Sequence, residues 1–129
     1  MANFQLLYCL VLCFQLHQNP TSSVTVFQTP LFTTAKLNES VELQCQQSDG
    51  SYQYLYWYQQ KAQRTMELIG YLQYSQAYPE AKFQERFNVN GDAKVKGYLT
   101  ITKMKNEDSA IYFCAASKHS NMIDAFPVQ

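Results

Sequence analysis

Cys45, Trp57 and Cys114 constrain this chain more than any other residues. Trp57, the sole tryptophan, stands twelve residues after Cys45, and Cys114 stands 69 positions after Cys45. The run Asp108-Ser109-Ala110-Ile111-Tyr112-Phe113-Cys114 puts Tyr112 two residues before the second cysteine. A sandwich of two facing β-sheets uses such a set directly. A bridge joins the sheets, the indole covers the sulfurs, and the tyrosine hydroxyl returns to backbone a few residues upstream to pin a corner. Each feature occurs alone by chance, but the combination at these spacings predicts an all-β Greek-key sandwich with Trp57 and Tyr112 in its core.

The first residues read as an address. Phe4 to Leu16 is an apolar run, shorter and more polar than the roughly 20 residues that span a bilayer. It has the length of a secretory h-region, and Thr21, Ser22 and Ser23 supply small residues for cleavage after Ser22 or Ser23. Residues 1–23 are therefore expected to be a signal peptide, although Met1-Ala2-Asn3 lacks a basic side chain. Two of the four cysteines, Cys9 and Cys13, fall within it. The remaining pair, Cys45 and Cys114, would be joined in an oxidising compartment. Closing that loop would stabilise the fold by about 4 kcal/mol in the chain-entropy picture.

About 106 residues remain, enough for one domain. Ten basic and ten acidic side chains are interspersed and cancel, which argues against nucleic acid or a charged membrane surface as partner. Val41, Leu43 and Cys45 alternate with Glu42 and Gln44 as in a half-buried strand. Leu55, Trp57 and Gln59 share one face of the next strand, and Tyr56, Tyr58 and Gln60 share the other. Met66 to Tyr71 reads as a third strand, Tyr98 to Thr102 as another with Leu99 and Ile101 inward, and Ala110 to Cys114 as the strand carrying the second cysteine. The interval between Trp57 and Cys114 leaves room for the extra strands of a nine-strand arrangement.

The stretch from Val24 to about Ser117 resembles an immunoglobulin variable-type domain, and most closely a T-cell receptor beta variable segment. The matching strings are Phe27-Gln28-Thr29-Pro30, Ser40 to Cys45, Trp57-Tyr58-Gln59-Gln60, Glu67 to Tyr71, Leu99-Thr100-Ile101 and Asp108 to Ser117. The Cys114-Ala115-Ala116-Ser117 ending, with Tyr78-Pro79-Glu80 ahead of Phe83, is similar to bony-fish segments. The resemblance implies a domain over residues 24–117. It also implies a later Phe-Gly-x-Gly strand G, which the sequence from Lys118 to Gln129 does not contain. Strand G is thus expected to be missing, and residues 118–129 to form a tail outside the fold. His119-Ser120 matches the in-frame reading of a recombination heptamer, as in an unrearranged germline segment; the dipeptide is as readily accidental.

The resemblance also assigns roles. Arg86 and Asp108 would form a structural salt bridge across the bottom of the sandwich. The outward residues Tyr58, Gln60, Met66 and Phe113 would form a dimer interface with the variable domain of an alpha chain, since an apolar sheet face of this kind usually marks an interface. Gln60 would meet a counterpart glutamine. Signalling subunits would couple through a constant region, placing the receptor on the extracellular side of the plasma membrane.

The loops read as contact surface from their own composition. Ser48 to Tyr54 contributes Asp49, Tyr52, Gln53 and Tyr54, and Leu72 to Tyr78 contributes Gln73, Tyr74 and Ser75. Tyrosine gives a large, stiff, amphipathic contact, and the small polar residues give adaptable hydrogen bonds. Strand propensity explains Tyr56, Tyr58, Tyr98 and Tyr112 equally well, but not tyrosines where turn residues dominate. Asn38-Glu39-Ser40 is an N-glycosylation sequon, although asparagine there also suits a positive φ. No catalytic residue, cofactor or metal is expected. Outside the leader the sole histidine is His119, no nucleophile motif occurs, and the four glycines form no phosphate loop. The expected function is recognition of peptide on a histocompatibility molecule as half of a heterodimer. The alternative is an innate or adhesion receptor domain that binds a protein ligand alone.

Overall fold

The computed structural model describes the backbone of residues 5–11 and, with side chains, residues 25–48 and 50–118. Among the described residues, ten strands form two sheets. They are β1 (Gln5–Val11), β2 (Val26–Thr29), β3 (Phe32–Ala35), β4 (Val41–Gln47), β5 (Tyr54–Gln60), β6 (Glu67–Gln73), β7 (Gln76–Pro79), β8 (Phe87–Asp92), β9 (Lys96–Ile101) and β10 (Ile111–Ser117). One sheet has the order β3-β1-β10-β5-β6-β7 and the other β2-β4-β9-β8. The chain passes from the second sheet to the first at Thr29-Pro30, whose peptide bond is cis.

Alternation sets the inner faces. Val41, Leu43, Cys45 and Gln47 point inward from β4, and Leu55, Trp57 and Gln59 do so from β5. Leu99 and Ile101 of β9 complete the layer opposite, as the sequence pattern requires. Trp57, Tyr112, Leu43, Leu55, Ile69, Leu72, Leu99 and Ile101 are fully enclosed. Each such large side chain stabilises the fold by about 1.5–3 kcal/mol relative to exposure. Cys45 and Cys114 are bonded across the sandwich with their Cα atoms 6.3 Å apart. The third apolar strand begins at Glu67 rather than Met66, because a turn over residues 62–64 delays pairing with β5.

Buried polar groups lock the corner before β10. Tyr112 Oη donates to Asp108 O at 2.7 Å and accepts from Gln59 Nε2 at 3.0 Å. Gln28 links the sheets from β2. Its Nε2 donates to Tyr112 O at 2.8 Å, and its Oε1 accepts from Cys114 N at 3.0 Å.

The segment expected to be a signal peptide enters the sheet in this chain. β1 runs parallel to β10, with Tyr8 opposite Ile111 and Val11 opposite Cys114, and antiparallel to β3. β3 and β10 each have a free edge facing the gap between them, and an extended segment satisfies the backbone groups of both. That gap is where the resemblance would put strand G. The cleavage site expected after Ser22 or Ser23, and the tail from His119 onward, lie outside the described residues.

Candidate functional site

At the end of the sandwich opposite the tyrosine corner, three connections converge. They are residues 48–53 between β4 and β5, the two-residue turn Tyr74-Ser75 between β6 and β7, and the turn 93–95 between β8 and β9. Gln47, the last residue of β4, is buried beneath them. Its Nε2 donates to Tyr52 O and to Ala93 O, both at 2.7 Å, and its Oε1 accepts from Tyr52 N at 3.3 Å. One inward carboxamide therefore fixes two loops. Tyr74 links them further: its N–H donates to Gln53 O and its carbonyl accepts from Ala93 N, both at 2.9 Å. Gly50 helps the first loop turn with φ +73, where a Cβ would be strained.

Above this backbone framework, Tyr74 and Ser75 are exposed. Tyr74 sits at φ +55 with half its surface exposed, and the Lys94 ammonium lies 5.9 Å from its ring centroid. Tyr52 is half-buried, with the Lys118 ammonium 6.0 Å from its ring. Ser75 is exposed and Gln73 closes β6. Tyr54, read from the sequence as a loop residue, is the first residue of β5, opposite Gln73 and Ser117. Asp49 lies outside the described residues.

The outer face of the six-stranded sheet forms a second surface. Tyr58 stands opposite Phe113, and Gln60 opposite Ile111, all outward and half-buried. Met66, just before β6, is 48% exposed. Gln60 Nε2 donates to Arg64 O at 3.1 Å, which orients the carboxamide and leaves its oxygen available. Burial, then the neighbouring Tyr56, pushes the Tyr58 phenol above its ordinary range, so it remains a neutral hydrogen-bond donor.

This face extends further than alternation along single strands indicates. Tyr56 pairs with Tyr71, and Tyr71 pairs with Tyr78 across three strands. Their ring centroids are 5.3 Å and 5.0 Å apart, and Tyr54 and Tyr58 lie 6.1 Å and 6.4 Å from Tyr56 along β5. Aromatic pairs at such separations contribute about 0.5–1.5 kcal/mol each beyond area burial. Alternation along β5 already put Tyr56 on this face, and Tyr54 joins it as the first residue of the strand. Tyr71 and Tyr78 join it only through the strand register.

At the corner end, Arg86 Nη1 and Nη2 donate to Asp108 Oδ2 and Oδ1 at 2.7 and 2.8 Å. Asp108 is 2% exposed and also accepts from Lys105 N at 2.8 Å. Arg86 adds bonds to the carbonyls of Thr102 and Lys103. The hydrogen bond with Asp108 raises the guanidinium above its ordinary range against the opposing effect of burial, so the guanidinium stays charged. Both carboxylate oxygens of Asp108 are paired within the protein. Among the described residues no cluster of three or more histidine, cysteine, aspartate or glutamate side chains could hold a metal ion. None of their helices is long and apolar enough to cross a membrane.

Comparison with known proteins agrees with this geometry. Residues 28–127 match the immunoglobulin V-set domain. A mouse T-cell receptor beta chain V region, CTL-F3, is 31% identical over 88% of this chain and 83% of its own length. Human T cell receptor beta variable 9 is 29% identical over 88% of this chain and 97% of its own. A rabbit Ig kappa chain V region is 31% identical over 77% of this chain and 88% of its own. A solved chain from work on T cell specificity and activation by the superantigen toxic shock syndrome toxin-1 superposes with TM-score 0.66. It is 21% identical, covering 81% of this chain and 90% of that one, a likeness of fold. The chain belongs to the immunoglobulin V-set family, as a T-cell receptor beta variable segment.

Proposed function

We propose that this domain is the beta-side half of a heterodimeric antigen receptor, which recognises peptide presented by a histocompatibility molecule. It is a binding module, not a catalyst. The observation that carries the reading is the outward aromatic face of β5, β6 and β7. In a domain with its own complete core, Tyr56, Tyr58, Tyr71 and Tyr78 with Met66 and Phe113 form a second apolar surface, which suits the variable domain of an alpha chain. The loop end, bound together by Gln47 and Tyr74, offers Tyr52, Gln53, Tyr54, Gln73, Tyr74 and Ser75 to the ligand. Residues 1–23 act as a leader. After their removal, a strand G supplied by joining fills the place between β3 and β10, and a constant region carries the membrane anchor and contacts the signalling subunits.

The test is to graft a joining and constant region after Ser117 and co-express the product with an alpha chain. A disulfide-intact heterodimer should be secreted, with little beta chain secreted alone. A chain secreted as a stable monomer that ignores alpha chains would instead support the innate or adhesion reading.

A further inference from the structure

Asn38 occupies a turn whose geometry leaves its side chain available while its backbone is fixed. Glu39 N donates to Lys36 O at 3.1 Å, closing a four-residue turn, and Glu39 Oε1 accepts from Lys36 N at 3.0 Å. Asn38 is the third residue of that turn with φ +69, a conformation asparagine tolerates better than other residues with a Cβ. Its N–H donates to Met104 O, and Met104 N donates to Glu39 O, both at 2.9 Å. Residues 36–40 are all exposed. Among the described residues, the Asn38 carboxamide and the Ser40 hydroxyl make no hydrogen bond.

We infer that Asn38 is an N-glycosylation site of this chain; the inference rests on the secretory reading above. The asparagine Nδ2 takes the oligosaccharide from a polyprenyl-pyrophosphate donor. A C–N bond forms at the anomeric carbon, the C–O bond to pyrophosphate breaks, the amide proton goes to a base of the transferase, and the polyprenyl pyrophosphate leaves. A glycan added to the nascent chain survives folding only where the folded site leaves it in water, and this turn does so. The other asparagine with a hydroxyl residue two positions on is Asn19, where Pro20 blocks the sequon. β4 runs from just past this turn to Gln47 beneath the loop end, a span of about 20 Å at strand rise. The sugar therefore projects from the end opposite the candidate ligand loops.

Two explanations of Asn38, sugar attachment and turn geometry, are separable by substitution. Ser40→Ala destroys the sequon and keeps the asparagine, Asn38→Gly keeps the positive φ without the amide, and Ser40→Thr preserves the sequon. The full chain is translated with microsomes, treated with protease, and run on a gel before and after amidase release of N-glycans. Wild type and Ser40→Thr should be protease-protected and retarded by one step that the amidase removes, while Ser40→Ala and Asn38→Gly should be protected and unretarded. A protected, unretarded wild type would overturn the site and spare the leader reading. Retardation that persists in Ser40→Ala would overturn the site as well. A protease-sensitive, unretarded wild type would overturn both readings.

Discussion

The two sides of β5 carry similar residue types and meet different fates. Inward, Leu55 and Trp57 are sealed against the disulfide and the facing sheet, and Gln59 is paired with Tyr112. Outward, Tyr54, Tyr56, Tyr58 and Gln60 are only half-covered, mainly by other tyrosines and by their own hairpin. The inner face is completed by the fold, whereas the outer face stays half-covered. Hydrophobic content alone does not distinguish them; closure does. The inner side should therefore carry stability and the outer side association.

The largest effect should come from the inner face. Trp57→Ala leaves an indole-sized cavity and is expected to cost about 3–5 kcal/mol, much of the roughly 5–15 kcal/mol that holds a domain together. A thermal melt of the joined domain checks this, and a near-native midpoint would break the contrast. Asp108→Ala should follow closely. Removing one partner of a buried ion pair typically costs about 3–5 kcal/mol, and Lys105 N loses its acceptor too.

The Arg86 side of that pair has a definite pH signature. Its folded pKa is raised, so its contribution is fully present below the unfolded value and is lost only as pH rises through the still higher folded value. Deprotonation of Arg86 should therefore produce no stability change between neutral and moderately alkaline pH. Urea midpoints of wild type and Arg86→Ala across that range should differ by a constant amount.

Gln47→Ala tests whether the loop end is held from below. Tyr52 O and Ala93 O lose their shared donor, and Tyr52 N loses its acceptor, at a cost of about 1–3 kcal/mol for buried unsatisfied groups. Hydrogen exchange should accelerate at Tyr52 more than at Leu99 in β9. Uniform acceleration would show that the loop has no separate anchor. The smallest stability effects belong to the contact side chains. Tyr52→Ala and Tyr74→Asn should stay within about 0.5 kcal/mol of wild type by thermal melt, the second helped because asparagine accepts the positive φ at position 74.

Residues whose chemistry is local in sequence were legible from it. Cys45, Trp57, Tyr112 and Cys114 announce the sandwich by spacing, and alternation assigns both faces of β4, β5 and β9. Gln28 and Gln47 were not legible, because a glutamine that bridges buried backbone is written like one in solvent. Their positions on the inward phase of β2 and β4 were the available signal. The tyrosine layer across β5, β6 and β7 depends on register, which a bulge after Trp57 shifts by one residue. The place of β1 was illegible for a different reason: its apolar run has the composition of a leader, and its pairing depends on two edges distant in sequence.

The division between inner and outer faces is tested most directly by Met66→Glu with Phe113→Lys in the joined beta chain, measured for melting and for co-secretion with an alpha chain. Phe113 lies opposite Tyr58 on the outer face, away from Trp57, so the melting midpoint should stay close to wild type. Co-secretion should fall by at least tenfold, since a central interface anchor is worth about 2 kcal/mol or more. A double variant that melts normally and still pairs with alpha would show that the outer face is not the pairing surface.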